Sequence, residues 1–318
     1  MDSLADERAL VTGGAGVIGM ELLELLGSRG MAVLSVDRLP LPRPVPDGVR
    51  HLAADLANAD LAPIADFDPT LIFHLAATFE RSVESPDFWD PNWSDNVVVS
   101  HRLAELAGRV ASVRAFVFAS SYLVYDPKLY LAPGPHTAVA LEEGAALRPR
   151  NLCGAAKLYA EEEIFFMRTV ARAAFRVVNA RIFRVYGRGS RDVISRWVRA
   201  ALDGEALEVF QPDNRFDYVY AGDVAEGLAR IAASPAAEGI VNLATGRDRA
   251  IADVVEALRN ALGADRVRTR EVATEAPYEA SRASVERLRE LTGWTPPTDL
   301  AEGIARLVRH ESLVHAGR

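Results

Sequence analysis

The sequence predicts an α/β fold in which a doubly wound, mostly parallel sheet is joined to a smaller carboxy-terminal α/β domain. A glycine-rich turn at residues 11–19 follows an apolar run and opens a helical pattern, as a strand–turn–helix unit does. Strand-like and helical segments then alternate up to residue 184, as a parallel sheet with crossover helices requires. The 318 residues, 49% hydrophobic and 25% charged, suffice for one large or two unequal domains.

The glycine-rich turn predicts a dinucleotide site. Gly13 allows the tight turn, Gly16 lets the backbone approach a diphosphate, and Gly19 lets the new helix pack against the strand it has left. The amides that open this helix have no partner inside it and point at bound phosphates. Val17 and Ile18 belong to the same turn and are expected along the cofactor. Because a glycine triplet alone is also found in ordinary turns, the segment that follows it decides the interpretation.

The second predicted strand supplies the acid that a dinucleotide site requires. Residues 32–37 form an apolar run that ends at Asp37, 18 residues after Gly19. This spacing is close to the roughly 20 residues after which a carboxylate meets the adenosine ribose hydroxyls. Because a carboxylate repels a 2′-phosphate, we expect NAD as the cofactor. Arg38 beside it keeps NADP open as the alternative.

Further strands and helices complete the predicted first domain, residues 1–184. The predicted strands are 49–56, 70–77, 115–121 and 177–185, and the predicted helices are about 93–108 and 149–174. Asp55 ends the first of these strands, where it meets the adenine or caps the next turn. The run 70–77 is continuously apolar, as a strand buried on both faces requires. The long connection that begins at Thr78 is expected to border the ligand crevice, with Thr78 against the substrate.

Beyond residue 184 the alternation of strand and helix loosens. Residues 185–318 are predicted to form mainly the second domain, with a segment near 215–245 that returns to the first. The predicted helices here are 193–202, 224–232, 251–262 and two at the carboxyl terminus, and the predicted strands are 207–210 and 218–220. Because no linker separates the two parts, we expect them to be interleaved.

Charge and cysteine content exclude several classes of protein. Lysine and arginine number 36 against 44 aspartates and glutamates, and the resulting charge of −8 argues against nucleic acid or an anionic membrane surface as the main partner. Cys153 is the only cysteine, so no internal disulfide forms, and the six histidines show no metal-ligand spacing. The acidic first residues lack the features of a signal peptide and no apolar run reaches membrane-spanning length, so we expect a cytoplasmic protein.

Several motifs follow one another in a recognisable order. They are the glycine turn, Asp37 at a strand end, His-Leu-Ala-Ala at 74–77, Ser120-Ser121 with Val124-Tyr125, Arg-Val-Tyr-Gly at 184–187, the segment 217–225, Asn-Leu-Ala-Thr-Gly at 242–246 and the terminal segment 288–294. This series resembles the extended short-chain dehydrogenase/reductase family, and within it the nucleotide-sugar epimerases, dehydratases and reductases. The resemblance covers nearly the whole chain and implies a Rossmann fold for the NAD-binding domain.

The resemblance also implies a catalytic serine or threonine, a tyrosine, and a lysine four residues after the tyrosine. The serine falls on Ser121 and the lysine on Lys157, but Cys153 stands at the tyrosine position. A thiol has a suitable pKa of ~8.5. Its sulfur, however, lies several ångströms short of the position that the oxygen of a tyrosine would reach. Three interpretations stay open. Cys153 is the base for a sugar that lies deeper, another group such as Tyr122 has taken the role, or the site binds without turnover and Cys153 merely packs.

The remaining predicted site residues contact the cofactor or the substrate. Those expected along the cofactor are Leu56, Leu75, Ala76, Ala77, Asn96, Ala119 and Lys157. Four arginines at one strand end and the following loop suit a diphosphate, because guanidinium groups and helix-start amides both bind phosphate; they are Arg181, Arg184, Arg188 and Arg191. Arg184 stands where the family often has asparagine. Arg215, also expected to contact the substrate, lies one residue earlier than the arginine that the family usually places before Asp217.

The resemblance implies a nucleotide-diphosphate sugar as substrate and NAD as the hydride acceptor. We expect an epimerase that oxidises the sugar transiently, with C4 as the preferred carbon. Tyr122 and Leu123 stand where the dehydratases have an aspartate and a glutamate, which argues against dehydration. The alternatives are an NAD(P)-dependent keto-sugar reductase or dehydrogenase, and a catalytically silent protein that binds NAD and a sugar nucleotide. The resemblance further implies a homodimer built on helices near 93–108 and 153–174.

Overall fold

The computed structural model describes residues 6–79 and 85–317. In chain order the strands are β1 (Arg8–Thr12), β2 (Ala32–Asp37), β3 (Val49–Ala53), β4 (Leu71–His74), β5 (Ala115–Ser121), β6 (Leu131–Ala132), β7 (Val139–Leu141), β8 (Arg176–Ile182), β9 (Arg184–Tyr186), β10 (Leu207–Phe210), β11 (Arg215–Phe216), β12 (Tyr218–Tyr220), β13 (Gly239–Leu243), β14 (Arg249–Ala250), β15 (Thr269–Val272), β16 (Tyr278–Glu279) and β17 (Ser281–Ala283). The helices are α1 (Val17–Ser28), α2 (Ala62–Phe67), α3 (Trp89–Asn92), α4 (Val99–Arg109), α5 (Leu152–Val170), α6 (Val193–Leu202), α7 (Ala221–Ala233), α8 (Ile251–Leu262), α9 (Glu286–Thr292) and α10 (Leu300–Ala316).

The central sheet is parallel throughout and contains seven of the strands in the described ranges. Their spatial order is β3–β2–β1–β4–β5–β8–β13. The direction in which strands are added reverses between β1 and β4. In open α/β sheets the ligand crevice lies at the carboxyl ends of the strands on either side of such a reversal. The predicted doubly wound parallel sheet is confirmed.

Helices cover both faces of this sheet because its central strands carry apolar side chains on both faces. In β1, Ala9 and Val11 face the cluster that contains helix α1, whereas Leu10 between them faces the opposite cluster. The first cluster buries residues of α1, α7 and α9, and the second buries residues of α2, α4 and α5. Side chains at the carboxyl edge therefore rest on a sheet that is fixed from both sides.

The second domain has a hydrophobic core of its own. Side chains from α6, α8 and α10 pack together with β10 and β12, and Trp197, Leu258 and Ile304 are among its buried members. Strand β13, which was not among the predicted strands, returns to the edge of the central sheet beside β8. None of the helices within the described residues is long and apolar enough to cross a bilayer.

The predicted strand 177–185 is in fact two strands that belong to different sheets. β8 ends at Ile182, and the amide of Phe183 donates to the carbonyl of Leu243 (3.4 Å). β9 then begins at Arg184 and pairs in parallel with β12. The apolar pattern does not change at this point, so periodicity alone cannot show that the chain exchanges one partner strand for another.

Other differences are confined to the ends of elements. The predicted strand 49–56 stops at Ala53, because the Asp55 carboxylate accepts from the amide of Ala57 (3.1 Å) and starts a turn. The apolar run 70–77 is a strand only as far as His74. The predicted helix near 93–108 continues a helical turn that begins at α3 and passes through a π-helical segment, Trp93–Val98, before α4.

Asp217 connects three segments that converge between the two domains. Its buried carboxylate accepts hydrogen bonds from the amides of Thr245 (2.9 Å), Gly246 (2.8 Å) and Ala283 (3.2 Å). Its carbonyl accepts from the amide of Arg184 (3.2 Å), where β9 begins. The backbone of Asp217 therefore holds the start of β9, and its side chain ties this place to the segments at Thr245 and Ala283.

We expect Asp217→Asn to destabilise the protein. The substitution replaces a carboxylate oxygen by an NH₂ group that faces backbone donors, and a buried donor without an acceptor costs about 1–3 kcal/mol. The free energy of unfolding in urea should therefore fall by at least about 2 kcal/mol relative to the parent. Asp213→Asn, at an exposed position nearby, is the matched control and should leave it unchanged. Equal stability of the two variants would contradict the role given to Asp217.

Candidate active site

The glycine turn lies at the carboxyl end of β1, where close backbone packing excludes larger residues. Gly13 has a φ of 74°, and a Cβ at this position would lie 2.7 Å from the amide nitrogen of Ala76. A Cβ on Gly19 would collide with the carbonyl oxygen of Gly13. Gly16 is exposed and is the N-cap of α1. The turn therefore has the geometry that a dinucleotide-binding turn requires.

A groove opens beside this turn along the carboxyl ends of β1, β2, β3 and β4. It brings together most of the residues predicted for the cofactor, namely Gly13, Gly16, Asp37, Arg38, Asp55, Leu56, Leu75, Ala76 and Ala77. Sequence reasoning missed four more lining residues, which are Val36, Ala54, Asp95 and Val99. Val36 and Ala54 are chain neighbours of predicted residues, so the sequence could have indicated them. Asp95 and Val99 carried none, because only the packing of α4 and the preceding segment brings them to the groove.

The acidic side chains of this groove favour a cofactor with a free 2′-hydroxyl. The Asp37 carboxylate accepts from the amides of Ala15 and Leu39 (both 3.0 Å), which fixes it at the end of β2. Arg38 forms an ion pair with Asp95 (2.8 Å), so its charge is balanced within the protein. A hydrogen bond from the Asn58 side chain (2.9 Å) is the main cause that lowers the pKa of Asp55, which keeps that carboxylate ionised. This arrangement suits NAD better than NADP.

Two residues predicted along the cofactor have other roles in the structure. The buried Asn96 side chain accepts from the amide of Thr78 (2.8 Å) and donates to the Thr78 carbonyl (3.0 Å) and to Asn92 (2.8 Å). Its polar atoms therefore hold the connection after β4. Ala119 is buried in the core between the sheet and α1. The contacts of both residues described here are with protein groups, and their predicted contacts with the cofactor stay predictions. Val17 and Ile18 begin α1 as expected, half-buried beside the groove.

Helix α5 presents three polar side chains on one face, because Cys153, Lys157 and Glu161 are spaced by four residues. All three are buried. The Cys153 Sγ lies 3.8 Å from the carbonyl oxygen of Thr78. The Lys157 ammonium lies 4.6 Å from the centre of the Phe118 ring on β5. Burial lowers the pKa of Lys157 to about 8, although the nearby Cys153 and Glu161 partly oppose this shift.

Glu161 attaches this helix to the sheet through a buried ion pair. Its carboxylate accepts two hydrogen bonds from Arg181 on β8 (3.0 and 2.7 Å) and another from the hydroxyl of Ser120 on β5. Arg181 is fully buried and also lies against the Tyr125 ring, at 4.9 Å. Its guanidinium is therefore enclosed by protein groups, which does not favour the predicted contact with the substrate diphosphate.

Ser121 and Tyr122 follow each other at the end of β5 but face different surroundings. The Ser121 hydroxyl oxygen accepts from the amide of Leu123 (3.2 Å) and the residue is partly exposed. The Tyr122 ring is buried and stacks on Phe183 at 5.2 Å, and its hydroxyl donates to Glu279 (3.2 Å). Burial raises the pKa of Tyr122 well above that of a free phenol. Tyr122 therefore forms an aromatic wall, and this setting does not favour the alternative in which it transfers the proton.

The other predicted arginines are separated by the fold. Arg188 pairs with Glu21 (2.7 Å) and with Glu24 (2.6 Å) on α1, so its charge is balanced within the protein, which does not favour the predicted phosphate contact. Arg191 is exposed. Arg215 pairs with Asp248 (2.5 Å), so its charge is balanced as well, and its predicted substrate contact stays a prediction.

Arg184 is the predicted arginine that the structure brings next to Tyr122. Its guanidinium stacks on the Phe216 ring at 3.8 Å, lies 5.8 Å from the Tyr122 ring centre and pairs with Glu279 (3.2 Å). Arg150 pairs with the same carboxylate. Sequence reasoning missed both Glu279 and Arg150. Neither belongs to a recognised motif, and neither lies near Tyr122 or Arg184 in the chain.

Among the described residues, no group of three or more His, Cys, Asp or Glu side chains is arranged to hold a metal ion. His74 is buried, and its ring nitrogens lie 2.9 Å from the hydroxyls of Thr12 and Ser100. Burial, followed by the charge of Lys157, sets its pKa well below the ordinary value. Ser121 lies at the end of β5, and Lys157, on the same face of α5 as Cys153, packs against that strand.

Comparison with known proteins agrees with this geometry. The model of the NAD dependent epimerase/dehydratase family matches residues 9–244. The UDP-glucose 4-epimerase of Mycolicibacterium smegmatis is 32% identical over 317 residues, which cover 95% of this chain and 97% of that protein. Another relative, the dTDP-L-rhamnose 4-epimerase of Burkholderia thailandensis, is 24% identical and covers 96% and 95%.

Solved structures with the same fold include complexes with NAD and sugar nucleotides. MoeE5 in complex with UDP-glucose and NAD has a TM-score of 0.83 and 28% identity, with 97% of this chain and 99% of that chain covered. The UDP-glucose 4-epimerase of Thermus thermophilus in complex with NAD has a TM-score of 0.80 and 27% identity, with 95% and 98% covered. The match of the family model over most of the chain shows that this protein belongs to the NAD dependent epimerase/dehydratase family.

Proposed function

We propose that this chain is an NAD-dependent epimerase that oxidises a nucleotide-diphosphate sugar transiently, at C4. The observation that carries the proposal is the placement of Lys157 and Cys153 on one buried face of α5, against the strand that ends at Ser121. Hydride chemistry at a sugar carbon requires a cofactor groove and a proton-transfer group at one edge of the sheet. Both features occur here, in a member of an NAD-dependent family whose relatives include sugar-nucleotide 4-epimerases.

The groove residues fit NAD. The amides that open α1 at Val17 face the position of the diphosphate, and the missing side chains of Gly13 and Gly16 leave the backbone open to it. Asp37 would accept from the adenosine ribose hydroxyls, and Asp55 lies at the adenine end of the groove. When bound, NAD supplies the acceptor and donor of the hydride that an epimerisation requires.

Each of the three polar residues has a distinct role in the proposed reaction. Because the Ser121 oxygen already accepts from the amide of Leu123, its hydrogen remains available to donate to the reacting sugar oxygen. The Lys157 ammonium would hold the ribose next to the nicotinamide and keep a positive charge beside the thiol. Cys153 would take the proton from the sugar hydroxyl as a thiolate, a form that a neighbouring cation favours.

The structure supports Cys153 over Tyr122 as the proton-transfer group. The Tyr122 hydroxyl is bonded to Glu279 in a buried cluster, so it cannot approach a substrate without breaking that bond. Cys153 lies one helical turn from Lys157 and near the start of the connection after β4. The short reach of a thiol then requires the sugar to lie deeper against α5 than it would against a tyrosine.

We expect Cys153→Ala to lose most of the activity and Tyr122→Phe to keep it within a few-fold of the parent. Removal of a general base typically costs about 10²–10⁴-fold in rate. The measurement is the interconversion of UDP-glucose and UDP-galactose with added NAD, followed by chromatographic separation of the two sugars. A slow Tyr122→Phe variant beside a fully active Cys153→Ala variant would overturn the assignment.

The same assay separates the proposed function from its alternatives. Net oxidation with release of reduced cofactor in each cycle would indicate a dehydrogenase or reductase. Tight binding of NAD and UDP without conversion of any sugar nucleotide would indicate a catalytically silent binding protein, and Cys153 would then mark the lost base.

We expect the activity of the parent to fall above about pH 8. The lowered pKa of Lys157, about 8, means that its ammonium loses the proton as pH rises through this value, and the charge beside the thiol disappears with it. The rate should then decrease about tenfold per pH unit on the alkaline side. Lys157→Arg, which stays charged, should keep a flat profile to higher pH. Identical alkaline limbs in both proteins would assign the ionisation to another group.

We also propose that the protein is a homodimer, with α4 and α5 of each subunit in the interface. The outward side of α5 carries large apolar residues, of which Phe166 is 59% and Val170 is 78% exposed. Trp93, at the start of the segment that leads into α4, is 55% exposed. Large apolar side chains exposed on neighbouring helical segments are typical of an interaction site.

A charged residue introduced into this surface should therefore separate the subunits. We expect Phe166→Glu to convert a dimer to a monomer in sedimentation velocity, because a buried unpaired carboxylate is strongly unfavourable in an interface. Leu313→Glu, at a residue of α10 that is 76% exposed, is the matched control and should leave the dimer intact. A parent that sediments as a monomer would contradict the proposed interface.

A further inference from the structure

A second polar cluster surrounds the hydroxyl end of the Tyr122 side chain. Glu279, which is 3% exposed, accepts hydrogen bonds from Arg150, from Arg184 (3.2 Å) and from the Tyr122 hydroxyl (3.2 Å). Within the described residues Glu279 is the only carboxylate paired with either arginine. The cluster therefore contains two positive charges and one negative charge, so one positive charge has no counter-ion there.

Two hydrogen-bond donors in this cluster have no acceptor. The Arg184 Nε and the Tyr218 hydroxyl are both buried, and no residue in the ranges 6–79 and 85–317 accepts from either atom. Tyr218 as a whole is only 7% exposed. Buried donors are almost always paired in native proteins, so two unpaired donors at one place indicate the position of a ligand acceptor.

The backbone places these two donors side by side. Arg184 on β9 and Tyr218 on β12 are direct partners in a parallel strand pair. Paired residues of parallel strands project their side chains to the same face, about 4.8 Å apart. The Phe216 ring under the guanidinium (3.8 Å) and the Glu279 carboxylate on its Nη2 fix the plane of Arg184. A rigid guanidinium beside a hydroxyl is a typical receptor for an oxyanion.

The position of the cluster indicates which oxyanion it receives. Ile182 on β8 is the direct strand partner of Ser121, and Arg184 follows Ile182 by two residues. Arg184 therefore lies at the same edge of the sheet as Ser121, which would bind the reacting sugar oxygen. In a pyranose, C4 is diagonally opposite C1, the carbon that carries the diphosphate. An acid group at C5, by contrast, is next to the C4 oxygen. An anion bound beside Ser121 is therefore closer to a sugar carboxylate than to the diphosphate.

We propose, on the basis of the function proposed above, that Arg184 and Tyr218 bind the carboxylate of a nucleotide-diphosphate uronic acid, and that Glu279 orients Arg184 for this contact. The chain would then discriminate acidic from neutral sugars. Arg184 and Tyr218 act on substrate selection, whereas Ser121, Cys153 and Lys157 carry out the chemistry on either kind of sugar.

The test is a calorimetric titration of the NAD-loaded protein with UDP-glucuronic acid, UDP-glucose and UDP. The variants are Arg184→Gln and Tyr218→Phe. Arg270→Gln, which removes an arginine from an exposed ion pair with Glu208, is the matched control for the loss of one positive charge. Thermal unfolding of each variant accompanies the titration, and Tyr218→Phe should unfold at the parent temperature because its hydroxyl has no partner to lose.

We expect the parent to bind UDP-glucuronic acid at least about tenfold more tightly than UDP-glucose, as a bidentate charge-assisted contact allows. Arg184→Gln should remove this preference while it changes the affinity for UDP-glucose and UDP by less than about threefold. Tyr218→Phe should reduce the affinity for UDP-glucuronic acid by about three- to tenfold and leave the other two affinities unchanged. The Arg270→Gln control should bind all three ligands with the same affinity as the parent.

Two results would overturn the inference. If Arg184→Gln weakens all three ligands equally, the oxyanion that it binds is the diphosphate and not a sugar carboxylate. If the parent binds UDP-glucose as tightly as UDP-glucuronic acid, no carboxylate subsite exists, while the proposed epimerase function stands. A failure of the proposed function is recognised separately, because the parent would then bind neither UDP nor any of the sugar nucleotides, and both proposals would fall together.

Discussion

The candidate site depends first on the buried ion pair between Glu161 and Arg181. Two charges removed from water are costly, and such a pair persists only when further hydrogen bonds complete it. Ser120 and the carbonyl of Glu143 supply these bonds, and the Tyr125 ring covers the guanidinium. Because Glu161 lies one turn beyond Lys157 and Ser120 directly precedes Ser121, this pair fixes how the helix face that carries Lys157 meets the strand end that carries Ser121. Loss of one partner would leave an uncompensated buried charge.

The second constraint is the change of partner strand at Phe183. The chain leaves the central sheet after β8 and joins the second domain as β9, held there by the Asp217 carbonyl. This step displaces Arg184 from the plane of the central sheet to a position over Phe216. The same short segment therefore ends the central sheet and begins the surface that is proposed to face the substrate. This arrangement would allow residues on both sides of the segment to contact one sugar.

The arginines show how the tertiary structure changes the meaning of a local charge pattern. Arg181, Arg184, Arg188 and Arg191 lie within a span of eleven residues, yet the structure gives each a different environment. Arg181 pairs within the core, Arg188 pairs with α1, and Arg191 faces solvent. The difference arises because alternate residues of a strand point to opposite sides and because the strand changes sheets. A cluster of charges in the sequence thus need not be a cluster in space.

The sequence by itself determined the doubly wound fold, the glycine turn, the acid at the end of β2 and the membership of the family. These features depend on apolar periodicity and on residue spacing over a few tens of residues. Both can be seen directly in the sequence. Only the tertiary structure decided that Tyr122 is a wall, that Asn96 and Ala119 serve the protein interior, and that Glu279 contacts Tyr122 from 157 residues away. The pairing of buried polar groups depends on which distant segments converge, and the neighbouring residues in the chain do not specify it.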